Sequence, residues 1–154
     1  MLQTAPNIED LTLNITQEIH VNAPLETTFA ALVEQLTTAS EHPDGTPMHM
    51  KLEPWPGGRW FRDLGGDNGH YWGTVQAIKR PTLLEINGPL FMSQPVANNV
   101  QYRLSEVPGG TLIQFRHSGF GLILEKHKKG VTTGWNYIHD RARQRAERMH
   151  SASR

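Results

Sequence analysis

Eight histidines and no cysteine set the terms for any chemistry in this 154-residue chain. His117 is the sharpest of them. It closes the run Thr111, Ile113, Phe115, His117, whose alternation points four side chains to one face of a strand. An imidazole there can orient a ligand's carbonyl or hydroxyl, or move a proton near neutral pH. The plainer role is a structural histidine bonded to a backbone carbonyl or to a neighbouring strand's side chain. A metal site needs converging ligands, and His42, His49, His70 and His117 are widely spaced, with no H-x-H or H-E-x-x-H. No metal is expected. Ser118 precedes Gly119 but lies outside any G-x-S-x-G, so it has no nucleophile-elbow context. Paired acids are missing from the apolar faces. The glycine pairs at 57–58, 65–66 and 109–110 fall in turns between short strands, without the strand–G-x-G-x-x-G–helix context of a dinucleotide site, and no cofactor is expected.

Charged clusters read as solvated. Arg59, Arg62 and Asp63 around Trp60 suggest a polar rim or, more simply, charges on a sheet edge. Arg141, Arg143, Arg145 and Arg148 lie late in a helix, where cations suit the macrodipole, and Asp140 and Glu147 interrupt them. Lys+Arg and Asp+Glu both number 15, so no net field draws nucleic acid or an anionic membrane. Hydrophobic residues make up 37% and charged residues 19%, ordinary for one globular domain able to bury a core. Without cysteine there is no disulfide or thiolate site. Residues 1–10 form a polar, loose arm without signal-peptide character, and no apolar run reaches membrane-spanning length. The expectation is a cytoplasmic protein with one domain over 11–150 and a frayed 151–154.

The elements that must position these residues follow from period. Val131, Gly134, Trp135, Ile138, Ala142 and Met149 draw an apolar stripe along a helix from Lys128 to Met149, opposite Lys129, Asn136, Asp140, Arg143 and Glu147. Leu13, Ile15, Gln17, Ile19 and Val21 alternate with polar residues as a half-buried strand. Asn22-Ala23-Pro24 then starts a helix to about Leu36, with Phe29, Leu32, Val33 and Leu36 inward. The stretch 37–47 reads as a loop. Met48, Met50 and Leu52, then Arg59–Leu64, His70–Lys79, Thr82–Asn87, a strand through Val100, Tyr102 and Leu104, and Thr111–His117 follow as strands. Glycine- and proline-rich turns separate them. The fold class is α+β: a curved antiparallel sheet of about six to seven strands wrapped around a long C-terminal helix.

That order, with three local signatures, resembles the helix-grip fold of START domains, Bet v-type allergens and polyketide cyclases, the SRPBCC superfamily. The signatures are "VNAPLETTFAAL" at the strand-to-helix entry, "PWPGGRWF" followed by "GHYWGTVQAIKRPTLLEI", and "GGTLIQFRHSGF" followed by "GVTTGWNYI". The last two are similar to the heat-shock-protein-90 ATPase activator-like branch. The resemblance spans about Thr12 to Met149. It departs at "TTASEHPDGTPMHM", where the branch usually carries a short second helix that walls one end of the cavity.

The resemblance implies a cavity between sheet and helix for a small hydrophobic or aromatic ligand. Strand parity lines it with Met50, Trp60, Tyr71, Tyr102, Phe115 and His117, facing Trp135 and Ile138; any one of these also suits a plain core. Lacking a recognisable catalytic set, the chain reads first as a binding module. Two alternatives stand beside it. A cyclase-like enzyme would use His117 with Tyr71 or Tyr102. A chaperone-interacting module would use the patch Leu90-Phe91-Met92, which also suits a homodimer or simply covers the core.

Overall fold

A computed structural model describes residues 7–153. A 3-10 turn (Ile8–Leu11) precedes β1 (Thr12–Val21) and α1 (Leu25–Leu36). Six strands follow: β2 (Met50–Leu52), β3 (Arg59–Gly65), β4 (Asn68–Lys79), β5 (Leu83–Gly88), β6 (Val96–Val107) and β7 (Gly110–Gly121). Helix α2 (Glu125–Ala152) ends the chain. The seven strands form one antiparallel sheet in the order β1-β7-β6-β5-β4-β3-β2. The sheet curves around α2, and α1 packs on the same helix. Helix α2 continues through Ala152, where fraying was expected from 151, and starts three residues earlier than the apolar stripe indicates. The expected loose arm is an ordered 3-10 turn from Ile8, and residues 1–6 lie outside the described residues.

The alternation in β1 and β7 puts Ile15, Val21, Ile113, Phe115 and His117 on the buried face, because a period of two sends alternate side chains to opposite sides. Helix α1 begins at Leu25, with the extended Pro24 before it as the N-cap. It ends with its carbonyls satisfied: the Thr37 hydroxyl donates to the Val33 carbonyl (2.7 Å), and the Trp60 indole N–H donates to the Leu36 carbonyl (2.9 Å). Residues 37–49 carry no helix. A bridge between Glu41 and Pro47 closes that loop, and Glu41 pairs with Arg141 of α2 (3.4 Å).

Strand β4 is irregular. Trp60 pairs with Gly73 and Phe61 with Tyr71, so Trp72 is an extra residue against β3. The bulge turns Trp72 into the core, where its ring meets Trp60 edge to face at 5.0 Å. It also corrects the inward placement of Tyr71. Counting by twos back from Val75 crosses the bulge and inverts the face, and Tyr71 is 44% exposed on the outer side. Beyond the bulge β4 runs close to β5: a Cβ at Gly88 would lie 2.3 Å from the Trp72 carbonyl oxygen.

Candidate functional site

Two hydrogen-bond chains cross the interior between sheet and α2. In the first, the Trp135 indole N–H donates to His117 Nδ1 (3.0 Å). Indole can only donate, so Nδ1 holds a lone pair and Nε2 carries the proton. That proton goes to Asn98 Oδ1 (2.7 Å), and Asn98 Nδ2 donates on to the Pro89 carbonyl (3.2 Å). The chain therefore runs from α2 through β7 and β6 to the β5–β6 connection. His117 is fully buried, and burial lowers its pKa to about 4. Its neutral tautomer is fixed and both ring nitrogens are taken.

The second chain joins Tyr102, His139 and Gln17. His139 Nδ1 faces Gln17 Oε1 (2.6 Å), so Nδ1 carries the proton and Nε2 accepts from the Tyr102 hydroxyl (2.8 Å). Desolvation lowers the His139 pKa to about 3 and raises that of Tyr102 well above its ordinary value. The Trp135 and His139 rings stack nearly parallel (9°, 5.6 Å), and Phe115 packs against both. This half of the interior is solid.

The other half is not. Along the first turns of α2 an open-mouthed recess of about 260 Å³ lies between the helix, Trp72 of β4 and Phe91 of the β5–β6 connection. Val131, Trp135 and Ile138 form the helix side. Gly130 and Gly134, one turn apart, leave the floor bare: a Cβ at either would meet no atom within 4 Å. Lys126 and His127 supply the polar side chains of the lining, which contains no acid. Both indoles are otherwise engaged, Trp72 donating to His70 Nδ1 (3.1 Å) and Trp135 to His117, so they present apolar rings rather than donors.

Of the residues expected to line a cavity, Trp135 and Ile138 line this recess. Met50, Trp60, Tyr102, Phe115 and His117 are buried in the packed body behind it. Tyr71 is on the outer face, its hydroxyl bonded to Thr74. The suggested polar rim at Arg59, Arg62 and Asp63 resolves into separate contacts: Arg59 with Glu53 (2.7 Å), Asp63 with Lys51 (2.6 Å) and Arg62 with the Met48 carbonyl (3.0 Å). Leu90 and Met92 are fully buried and Phe91 is half-buried, so most of that apolar patch covers core. Residues that sequence reasoning passed over are Trp72, His127, Gly130, His139 and Asn98. His139 had a signal, standing four residues after Trp135 on the same helical stripe.

A larger hollow of about 700 Å³ lies on the outer face, along β4 to β7, beside Tyr71, Asn87, Asn99 and Phe120. It is a shallow trough whose amides bond one another: Asn99 Nδ2 donates to Asn87 Oδ1 (2.6 Å), and Asn87 Nδ2 to Gln76 Oε1 (2.8 Å). The smaller recess is the better candidate, because a ligand there is held between two walls. Among the described residues no group of three or more His, Asp or Glu is placed to hold a metal ion. No helix among them is long and apolar enough to cross a membrane.

A seven-stranded antiparallel sheet curved around a long C-terminal helix, with a recess left between them, defines a helix-grip protein. Residues 22–147 match the model of the Activator of Hsp90 ATPase homolog 1-like family, and the chain belongs to that family. No curated protein matches it. Among solved structures, protein MLL2253 from Mesorhizobium loti superposes with a TM-score of 0.68 at 19% identity, over 88% of this chain and 98% of that one. Ara h 8.0201 gives 0.65 at 14% identity, over 88% and 97%. CalU16 from Micromonospora echinospora gives 0.56 at 21% identity, over 92% and 86%. At these identities the likeness is one of fold.

Proposed function

We propose that the protein is a binding module that holds one small apolar or aromatic molecule in the recess between α2 and the wall made by Trp72 and Phe91. The pair Gly130 and Gly134 carries this reading. Each glycine in a helix interior costs about 1 kcal/mol against alanine. Packing does not call for either, since an added Cβ meets nothing within 4 Å. What the two glycines provide is room against Trp72 and Phe91. A dry cavity of about 150 Å³ accepts benzene, so the 260 Å³ here suits one ring with a short extension.

A cyclase-like role would need a histidine with a ring nitrogen directed at substrate, and His117 donates and accepts within the protein. The chaperone and homodimer readings needed Leu90-Phe91-Met92 exposed, whereas only Phe91 reaches the surface, as a wall of the recess.

Native mass spectrometry tests the proposal. The protein incubated with a panel of single-ring aromatics should carry one ligand mass that is lost on denaturation. The variant Gly130→Leu/Gly134→Leu, folded by circular dichroism, should carry none. Equal loading of both proteins would sink the assignment to this recess.

A further inference from the structure

We propose that the recess takes an aromatic carboxylate, its ring against Trp72 and Phe91 and its anionic head at the Lys126–His127 rim. This rests on the binding reading above and names the ligand class of the same site.

An apolar pocket fixes a ligand's orientation through the few polar groups it contains. Neither indole in the lining can do so, because Trp72 and Trp135 give their N–H groups to His70 and His117. The polar side chains left are Lys126 and His127. Gln94 Nε2, an amide donor, faces His127 Nδ1 at 2.9 Å, so Nδ1 accepts and the imidazole proton sits on Nε2. Among the described residues Nε2 has no hydrogen-bond partner, and Lys126 has no ion-pair partner. The Phe91 ring, edge to face with the imidazole at 5.3 Å, holds His127 in this orientation. The rim therefore offers only donors. A neutral acceptor would satisfy one of them; a carboxylate, with two oxygens and a full charge, satisfies both and forms the stronger charge-assisted bonds.

The surrounding charge agrees. Lys126 and His127 lie in the first turn of a 28-residue helix, whose N-terminal end is the positive end of its dipole. Lys128 and Lys129 follow, Lys128 donating to the Asp10 carbonyl (2.8 Å). Glu125 is the one acid of that turn and does not line the recess. The volume of the recess, about 260 Å³, suits a single ring on a short linker, as in phenylacetate.

Calorimetric titration with phenylacetate, its neutral isostere phenylacetamide, and acetate tests the inference. Phenylacetate should bind about tenfold or more tightly than phenylacetamide, and acetate not measurably, because the ring supplies the burial and the head supplies the charge-assisted bonds. Lys126→Gln/His127→Gln should abolish the preference for the acid, weakening phenylacetate by about tenfold or more and phenylacetamide, which loses at most one uncharged bond, by much less. Equal affinity for acid and amide overturns the carboxylate assignment while the pocket stands. Failure of both ring compounds to bind overturns the pocket and this inference together.

Discussion

Acid should unfold this protein early, and two buried histidines decide how early. His117 and His139 are 0% and 1% exposed. Burial holds their pKa values at about 4 and about 3, against roughly 6.5 in an unfolded chain. Above that value both states are neutral and the histidines contribute no pH dependence. Below it the unfolded chain takes up protons that the folded chain refuses, so stability falls as pH falls. The slope is about 1.4 kcal/mol per pH unit for each histidine. The loss from His117 ends near pH 4 and that from His139 near pH 3. Two histidines over about two pH units lose roughly 5 kcal/mol, comparable with the whole stability of a small domain, about 5–15 kcal/mol. The lowered carboxylates titrate further down: Glu53, held at about 2 by Arg59, is untouched between pH 6 and 5. Urea unfolding followed by tryptophan fluorescence should therefore show stability dropping by roughly 2 kcal/mol between about pH 6 and pH 5. His139→Gln should halve that slope. A wild-type slope near zero, or one that the variant leaves unchanged, would refute the neutral burial of these rings.

Other consequences follow from the same contacts. Tyr102→Phe removes the donor to His139 Nε2 and should lower stability by about 1–3 kcal/mol in chemical denaturation, whereas Tyr71→Phe on the outer face should change it by less than about 0.5. Gly130→Ala and Gly134→Ala should each raise stability by up to about 1 kcal/mol while weakening ligand binding, a trade visible as a higher Tm with a larger Kd. Gly88→Ala places a Cβ against the Trp72 carbonyl and should cost about 1–3 kcal/mol in the same unfolding assay.

How much of this was legible in the sequence depended on whether local period or spatial convergence decided the outcome. The alternation from Leu13 to Val21 and from Thr111 to His117 gave the correct faces, because neither strand is bulged. It failed at Tyr71 because the extra residue at Trp72 resets parity, and no local pattern announces a bulge. The stripe on α2 was read from its apolar members, so His139 was passed over although it occupies a core position. Gly134 falls in that stripe by its spacing, while its use is the empty space beside it. The recess itself joins a bulged strand, a connection near residue 91 and the first turns of α2. No spacing in the chain brings those three together; only the folded sheet does.

The central claim, a ligand seated between α2 and Trp72, is tested most directly by mapping amide and indole NMR shifts on adding phenylacetate or phenylacetamide. The account predicts that the Trp72 indole and the amides of Gly130 and Gly134 move most, with Asn87 and Asn99 on the outer face unmoved. Shifts concentrated at Asn87, Asn99 and Phe120, with α2 silent, would contradict it and move the binding site to the outer trough.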